Sequence, residues 1–293
     1  MIAVADVLVI GGVATKDGLE VYDIADANKN KMLNISLGYT KSAFGCGLFA
    51  HGVVAIAAGS KDAVAATKAT DLFDLNLGQI IAGPDLSTAR TLPAGAMLEA
   101  GLLVCGGASA GGIVYDTCEQ LTFDGGNYTW TAKASMTGVR RAFSMTVVGG
   151  KAYAVGGLDW MATLSMAEFY DPATDSWQLI ASLPVAVRFH SAVGFNDQLY
   201  VCGGLDSTSS TQTACYRYNP ATATWNVIAA MNVARSGHSM VEIDGKIYVF
   251  GGQGTSGSAM DTVEEYDPAT DTWSLLTDRM QMSRRGHCAV QLK

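Results

Sequence analysis

The chain has 293 residues, of which 49% are hydrophobic and only 16% charged, with 33 glycines and a formal charge of 19 − 27 = −8. That balance excludes a disordered chain, which combines low hydrophobicity with high charge, and it argues against a nucleic-acid backbone as the main partner. The glycine content also argues against a helical protein, because each Gly costs about 1 kcal/mol against Ala in a helix interior.

In chain order the first strand signal is VLVIGG, followed by LEVYD and MLNIS. The N-terminus MIAVADVLVIGG is apolar but has no basic stretch and carries Asp6, so a secretory leader is not expected. No stretch approaches the ~20 apolar residues of a membrane helix, and no membrane association is expected. Gly-Gly doublets then recur at 11–12, 106–107, 156–157, 203–204 and 251–252. Ala58-Gly59 falls halfway along the one double-length interval and reads as a degenerate copy, giving six copies with a period of 47 to 50 residues. Tyr170-Asp171-Pro172, Tyr218-Asn219-Pro220 and Tyr266-Asp267-Pro268 form a second landmark, with Trp177, Trp225 and Trp273 always seven residues later. Weaker aromatic–Asp copies are Tyr22-Asp23, Phe73-Asp74 and Phe123-Asp124, and Trp130 keeps the seven-residue offset from Phe123.

Each unit reads as four short strands. In 238–277 these are HSMVEID, KIYVFGG, VEEYDP and TWSLLT, with Asp244-Gly245 as a tight turn and Asp-Pro-Ala-Thr-Asp supplying turn chemistry between the last two. A four-stranded sheet cannot bury both faces alone, but six arranged radially share one core.

The double glycines, the Tyr-Asp-Pro-Ala-Thr-Asp-x-Trp blocks and the Arg-Ser-Gly-His-Ser segment at 235–239 resemble the Kelch-repeat β-propellers. The resemblance is strong over 138–293 and degenerate over 1–85. The fold it implies is all-β: a six-bladed propeller with four antiparallel strands per blade. The expected blades run approximately 284–293 plus 1–36, 39–84, 88–135, 138–183, 186–231 and 233–281, one domain over 1–293. RRGHCAVQLK at 284–293 matches a first strand, so the C-terminal strand is expected to complete the N-terminal blade and close the ring. This implies a complete domain without a preceding BTB-like helical region; a monomer is expected, and free thiols would place it in the cytoplasm.

The six cysteines form no C-x-x-C pair. Cys118 and Cys215 each follow a cysteine by 13 residues, suggesting two disulfides, yet they stand five residues before Phe123 and three before Tyr218. The pairs therefore read as non-equivalent, and buried free thiols are expected.

Recurring residues read as structural, and non-recurring loop residues as functional candidates. In the Kelch family a ligand commonly sits on the face formed by the loops between blades and the loops joining second to third strands. The segments between blades align as Lys41, Arg90, Arg140, Val187, Arg235 and Arg284, followed by Ser42, Thr91, Arg141, Arg188, Ser236 and Arg285. Eight of the 19 basic residues fall in these twelve places. A ring of cations at a pore mouth would concentrate positive potential, and Arg can hold a carboxylate with two hydrogen bonds. Similar positions in Kelch adaptors bind acidic peptide segments, so the resemblance implies a protein or peptide partner with an acidic segment. The second-to-third-strand loops are 13–18, 60–68, 108–117, 158–166, 205–213 and 253–262. Trp160 is a loop anchor candidate, Asp159 and Asp206 occupy equivalent positions, and Gln253 completes the candidate set.

His190, His238 and His287 fall at first-strand starts of consecutive blades and belong to the repeat, so no metal site is expected. No cofactor is expected. Nitrile-specifier iron, copper-oxidase, nucleophile-elbow and Walker signatures have no match. An isomerase of an anionic sugar, similar to sialic-acid mutarotase, remains the alternative to a binding module at the same pore.

Overall fold

A computed structural model describes residues 7–12, 18–24, 31–36, 41–61 and 65–292. It contains six four-stranded antiparallel sheets, and the described residues include no helix. Blade IV shows the pattern. Its strands Ser144–Val148, Lys151–Val155, Ala167–Asp171 and Ser176–Ile180 pair in chain order. Blade III is built from Ala94–Leu98, Gly101–Cys105, Cys118–Asp124 and Asn127–Lys133, and blade V from Ser191–Phe195, Gln198–Cys202, Cys215–Asn219 and Thr224–Ile228. Blade II runs Gly45–Phe49, Val53–Ala57, Thr70–Asp74 and Gln79–Ala82; blade VI runs Ser239–Ile243, Lys246–Phe250, Met260–Asp267 and a long fourth strand, Thr272–Arg284. Blade I is composite: Cys288–Gln291 pairs with Val7–Ile10, which continues through Gly18–Tyr22 to Lys31–Ser36. The ring is closed by hydrogen bonds, as the repeat register implied.

The buried apolar residues fall into six clusters, each drawing on two adjacent blades. Between blades V and VI, for example, Tyr200 and Val193 meet Met240, Val249 and Tyr266. This is why the chain is so apolar: every sheet has two inward faces. The recurrent Trp tie blades together. Trp177, Trp225 and Trp273 donate their indole N–H to the carbonyls of Ala134, Ala181 and Ala229 in the preceding blade at 2.8–2.9 Å.

The double glycines have a steric cause. A Cβ on the first glycine would strike the ring that leads into the next blade: Gly156 against His190 Cε1 at 2.7 Å, Gly203 against His238 Cε1 at 2.7 Å. A Cβ on the second would strike the same column in its own blade, Gly204 against His190 Cβ at 2.8 Å. Both glycines also have φ near +60° and +95°, a region that favours glycine. The degenerate copy keeps this geometry at a cost, because Ala58 holds φ +60°.

Two sequence readings are corrected here. All six cysteines are paired: Cys46–Cys288, Cys105–Cys118 and Cys202–Cys215. Cysteine usage therefore gives no support to a reducing compartment. The two 13-residue pairs are equivalent, each joining directly opposed residues at the start of the second-to-third-strand loop. The misalignment came from Phe123. In blade III it is Leu121, not Phe123, that pairs with Trp130, as Tyr218 pairs with Trp225. Cys118 stands three residues before Leu121, as Cys215 stands three before Tyr218. A two-residue Gly125-Gly126 turn and longer strands shift the aromatic by two, leaving Phe123 on the surface at 40% exposure.

Candidate functional site

The segments between blades and the second-to-third-strand loops meet on one face. Thr91, Arg141, Arg188 and Ser236 each form a reciprocal pair of backbone hydrogen bonds with Ala108, Leu158, Leu205 and Gln253, at 2.7–3.0 Å. In blade II the same contact extends into a small sheet of Lys41–Ser42, Ser60–Lys61 and Ala65–Ala66. A rim that sequence alone reads as loops is thus a set of short ladders. Residues 13–17 and 62–64 of two of these loops lie outside the described residues.

Inside this rim stands a closed ring of six backbone hydrogen bonds. The amide of Ala43 donates to Gly286 O, Gly286 to Gly237, Gly237 to Phe189, Phe189 to Ala142, Ala142 to Leu92, and Leu92 back to Ala43, at 2.7–3.1 Å. All six residues are left-handed, with φ between 53° and 62°. Four of them carry a side chain, and each such residue costs roughly 1–2 kcal/mol in this conformation, so the ring is held by the converging blades. Above it lies a cavity of about 370 Å3 lined by Ser42, Ser60, Thr91, Ser236, Gln253 and Arg285, with Leu92, Phe189 and Leu205 as apolar floor. Below it lies the central channel, about 560 Å3, lined by the innermost strands.

The cationic columns separate into two kinds. Arg90, Arg140, Arg235 and Arg284 are at most 1% exposed. Each turns into its own blade and pairs with a third-strand glutamate: Glu119 at 3.3 Å, Glu168 at 2.6 Å, Glu264 at 2.6 Å and Glu20 at 3.3 Å. Their other guanidinium nitrogen donates to the carbonyl of a Gly-Gly doublet, Gly106, Gly156, Gly251 or Gly11. Burial pulls these guanidinium pKa values down and the paired glutamates oppose it. The glutamates also accept a backbone N–H from the preceding segment, as Thr137 donates to Glu168 at 2.9 Å. These four arginines are buried braces of the blades rather than an exposed ring of cations at the mouth. In blade V the pair is replaced by Val187 and Tyr216, both buried in one cluster.

Arg141, Arg188 and Arg285 remain, all half-buried at the rim. Arg188 is engaged with its own loops, donating to Thr163 Oγ1 at 2.5 Å, Asp206 O at 3.1 Å and Ser209 Oγ at 2.8 Å. Among the described residues the side chains of Arg141 and Arg285 have no hydrogen-bond or ion-pair partner, and the Arg141 Nε is buried unpaired. Ser42 and Ser236 are buried beside the cavity, and the side chain of Lys41 lies outside the described residues.

Asp159 and Asp206 shape loops. Asp159 accepts the amides of Met161 and Ala162, both at 2.7 Å. Asp206 accepts the Thr208 hydroxyl and amide and the Ser210 amide, which together with nearby Arg188 hold its carboxyl below the usual range. Trp160 stands 57% exposed beside Met161 at 93%, on the tip that Asp159 supports. Sequence reasoning missed Met161, Phe189, Leu92 and Ser60. Phe189 and Leu92 immediately follow the second cationic column, and their shared place in the repeat was the available signal.

His190, His238 and His287 are packed as neutral rings between blades. Burial lowers His190 to about 4 and His287 to about 3, with the neighbouring arginines adding to it and the Val155 and Phe250 carbonyls opposing. No metal-binding group of three His, Cys, Asp or Glu ligands occurs among the described residues.

The fold and this mouth define a closed β-propeller with a loop-face cavity. The KLHDC2/KLHL20/DRC7 Kelch-repeats domain family profile matches residues 142–293, just over half the chain. The chain belongs to this Kelch-repeat family. It is 37% identical over 90 residues to mouse (Mus musculus) Kelch-like protein 35, covering 30% of this chain and 16% of that protein. It is 40% identical over 91 residues to Kelch-like protein terF of Aspergillus terreus, covering 28% and 20%. The human (Homo sapiens) Kelch-like protein 15 is 28% identical over 116 residues, covering 39% and 19%. The matches therefore span a fifth or less of these relatives. The solved structure of YjhT superposes with a TM-score of 0.60 at 18% identity over 69% of each chain, a likeness of fold.

Proposed function

We propose that this propeller is a protein-binding module whose loop-face mouth holds an acidic segment of its partner. The observation that carries the reading is the division of the arginines. Four are consumed inside the blades, while Arg141 and Arg285 sit at the rim without a counter-ion among the described residues. A carboxylate is the complement of such a group, and a cavity of about 370 Å3 admits one or two side chains rather than a long extended strand. Kinship with Kelch-like proteins supports a binding role. The mutarotase-like alternative draws less support, because the described cavity lining contains no carboxylate or imidazole and the ring separates it from the histidines.

The test is fluorescence polarisation with a labelled Asp/Glu-rich peptide and its Asn/Gln analogue. The acidic peptide should bind at least tenfold more tightly at low salt and weaken as salt rises. Arg285→Glu and Arg141→Glu should each reduce binding, whereas Trp160→Ala should reduce binding without lowering stability by more than about 0.5 kcal/mol. Equal affinity for both peptides, or indifference to both charge reversals, would sink the acidic-partner reading.

A further inference from the structure

The three cysteine pairs differ in what they hold and in how they are reached. Cys105–Cys118 and Cys202–Cys215 each join neighbouring strands of one blade, and all four side chains are at most 2% exposed. Cys46–Cys288 joins two blades. Cys288 begins the strand that closes the ring, and Cys46 lies in the innermost strand of blade II. Both line the central channel of about 560 Å3. They also sit directly beneath one link of the mouth ring, the hydrogen bond from Ala43 to Gly286 at 2.7 Å. Ser42 and Arg285, one residue further out on each side, line the mouth cavity.

We infer that Cys46–Cys288 is a redox-addressable latch on the closure seam, opened by a low-molecular-weight thiol entering the channel, while the other two pairs are fixed staples. In the exchange a thiolate attacks one sulfur of the pair, forming a mixed disulfide and releasing the other cysteine as a thiolate. A second reagent thiolate attacks the mixed disulfide and releases the second cysteine. Two reagent thiols are thus oxidised to one disulfide, and their two protons and two electrons end on Cys46 and Cys288. With the bond open, Cys288–Gln291 is held, among the described residues, by packing and by its pairing with Val7–Ile10, so the seam under Ser42 and Arg285 is the first part of the ring to loosen. All three pairs are packed between sheets, but a reagent must reach sulfur to attack it: the staple side chains are at most 2% exposed, whereas Cys288 is 9% exposed and Cys46 half-buried, both at the wall of the channel.

The oxidised protein is incubated natively with graded dithiothreitol, alkylated with iodoacetamide and mapped by peptide mass spectrometry, with hydrogen exchange followed in parallel. The first two alkylations should map to Cys46 and Cys288. Amides of 288–291 should lose at least tenfold in protection, while those of 118–124 and 215–219 do not change. Simultaneous release of all six thiols, or release of a staple first, overturns the selectivity. Alkylated Cys46 and Cys288 with unchanged exchange overturns the latch. Failure of oxidised glutathione to form this bond in the reduced protein overturns the pair itself. Cys46→Ser under oxidising conditions should exchange like reduced wild type, and unchanged protection in it also counts against the latch; the wild-type series decides even where this variant does not fold.

Discussion

Blade V supplies a natural control for the buried ion pairs. In blade IV the Arg140 guanidinium lies 2.6 Å from the Glu168 carboxylate, and both side chains are 0% exposed. Arg140→Val leaves that carboxylate without its cation and removes the donor to Gly156 O, which lies 3.3 Å away. Stranding one member of a buried pair costs about 3–5 kcal/mol. The Met166 carbonyl is less affected, because it also accepts the Gly156 amide at 2.9 Å. The double variant Arg140→Val/Glu168→Tyr copies the Val187–Tyr216 arrangement of blade V, where no charge is buried. Exchanging a whole buried pair for apolar groups is commonly neutral or stabilising. The double variant is therefore expected within about 1–2 kcal/mol of wild type, with a coupling energy of about 2–3 kcal/mol or more. Urea unfolding of wild type, both single variants and the double gives the complete cycle. If the single changes add, or if Arg140→Val costs less than about 1 kcal/mol, the bracing role assigned to these arginines is wrong.

Stability should fall in mild acid. His190 and His287 have folded-state pKa values depressed to about 4 and about 3, so the stability they contribute is complete above their unfolded value of 6.5 and is lost as pH falls from there toward those values. The slope is about 1.4 kcal/mol per pH unit per histidine. His190→Phe, copying Phe143 in the same column, should flatten it, and an unchanged slope in that variant refutes the attribution. Ala58→Gly should stabilise by roughly 1 kcal/mol, because Ala58 holds φ +60°, seen as a rise in the thermal midpoint. Gly194→Ala should destabilise by about 1–3 kcal/mol or more, because the new Cβ would lie 2.1 Å from Val147 O and force the innermost strands of blades IV and V apart; a wild-type melting curve contradicts that packing.

The sequence by itself determined the architecture. Gly-Gly strand ends, Asp-Pro-Ala-Thr-Asp turns and strand alternation are local requirements of backbone and turn geometry. Repeated with a 47–50-residue period they leave one solution, six blades in a ring, with the C-terminal segment completing the first. The site was only partly legible. Arg140 and Arg141 are neighbours in sequence and both read as cations at a mouth, yet Arg140 is buried in its blade while Arg141 is half-buried without a partner among the described residues. What decides between them is Glu168, 28 residues away on another strand. Cysteine pairing escaped for a similar reason: a two-residue change in one hairpin moved Phe123 out of the aromatic register and hid the equivalence of Cys118 with Cys215. Cys46 and Cys288, 242 residues apart, become neighbours only when the ring closes. The left-handed mouth ring likewise needs all six blades, since each of its hydrogen bonds is made by the next blade round. The acidic, weakly charged composition described the whole surface. Only the tertiary structure showed which arginines are spent inside it and which two stay half-buried without a partner among the described residues, because burial and charge pairing are properties of contacts between distant segments.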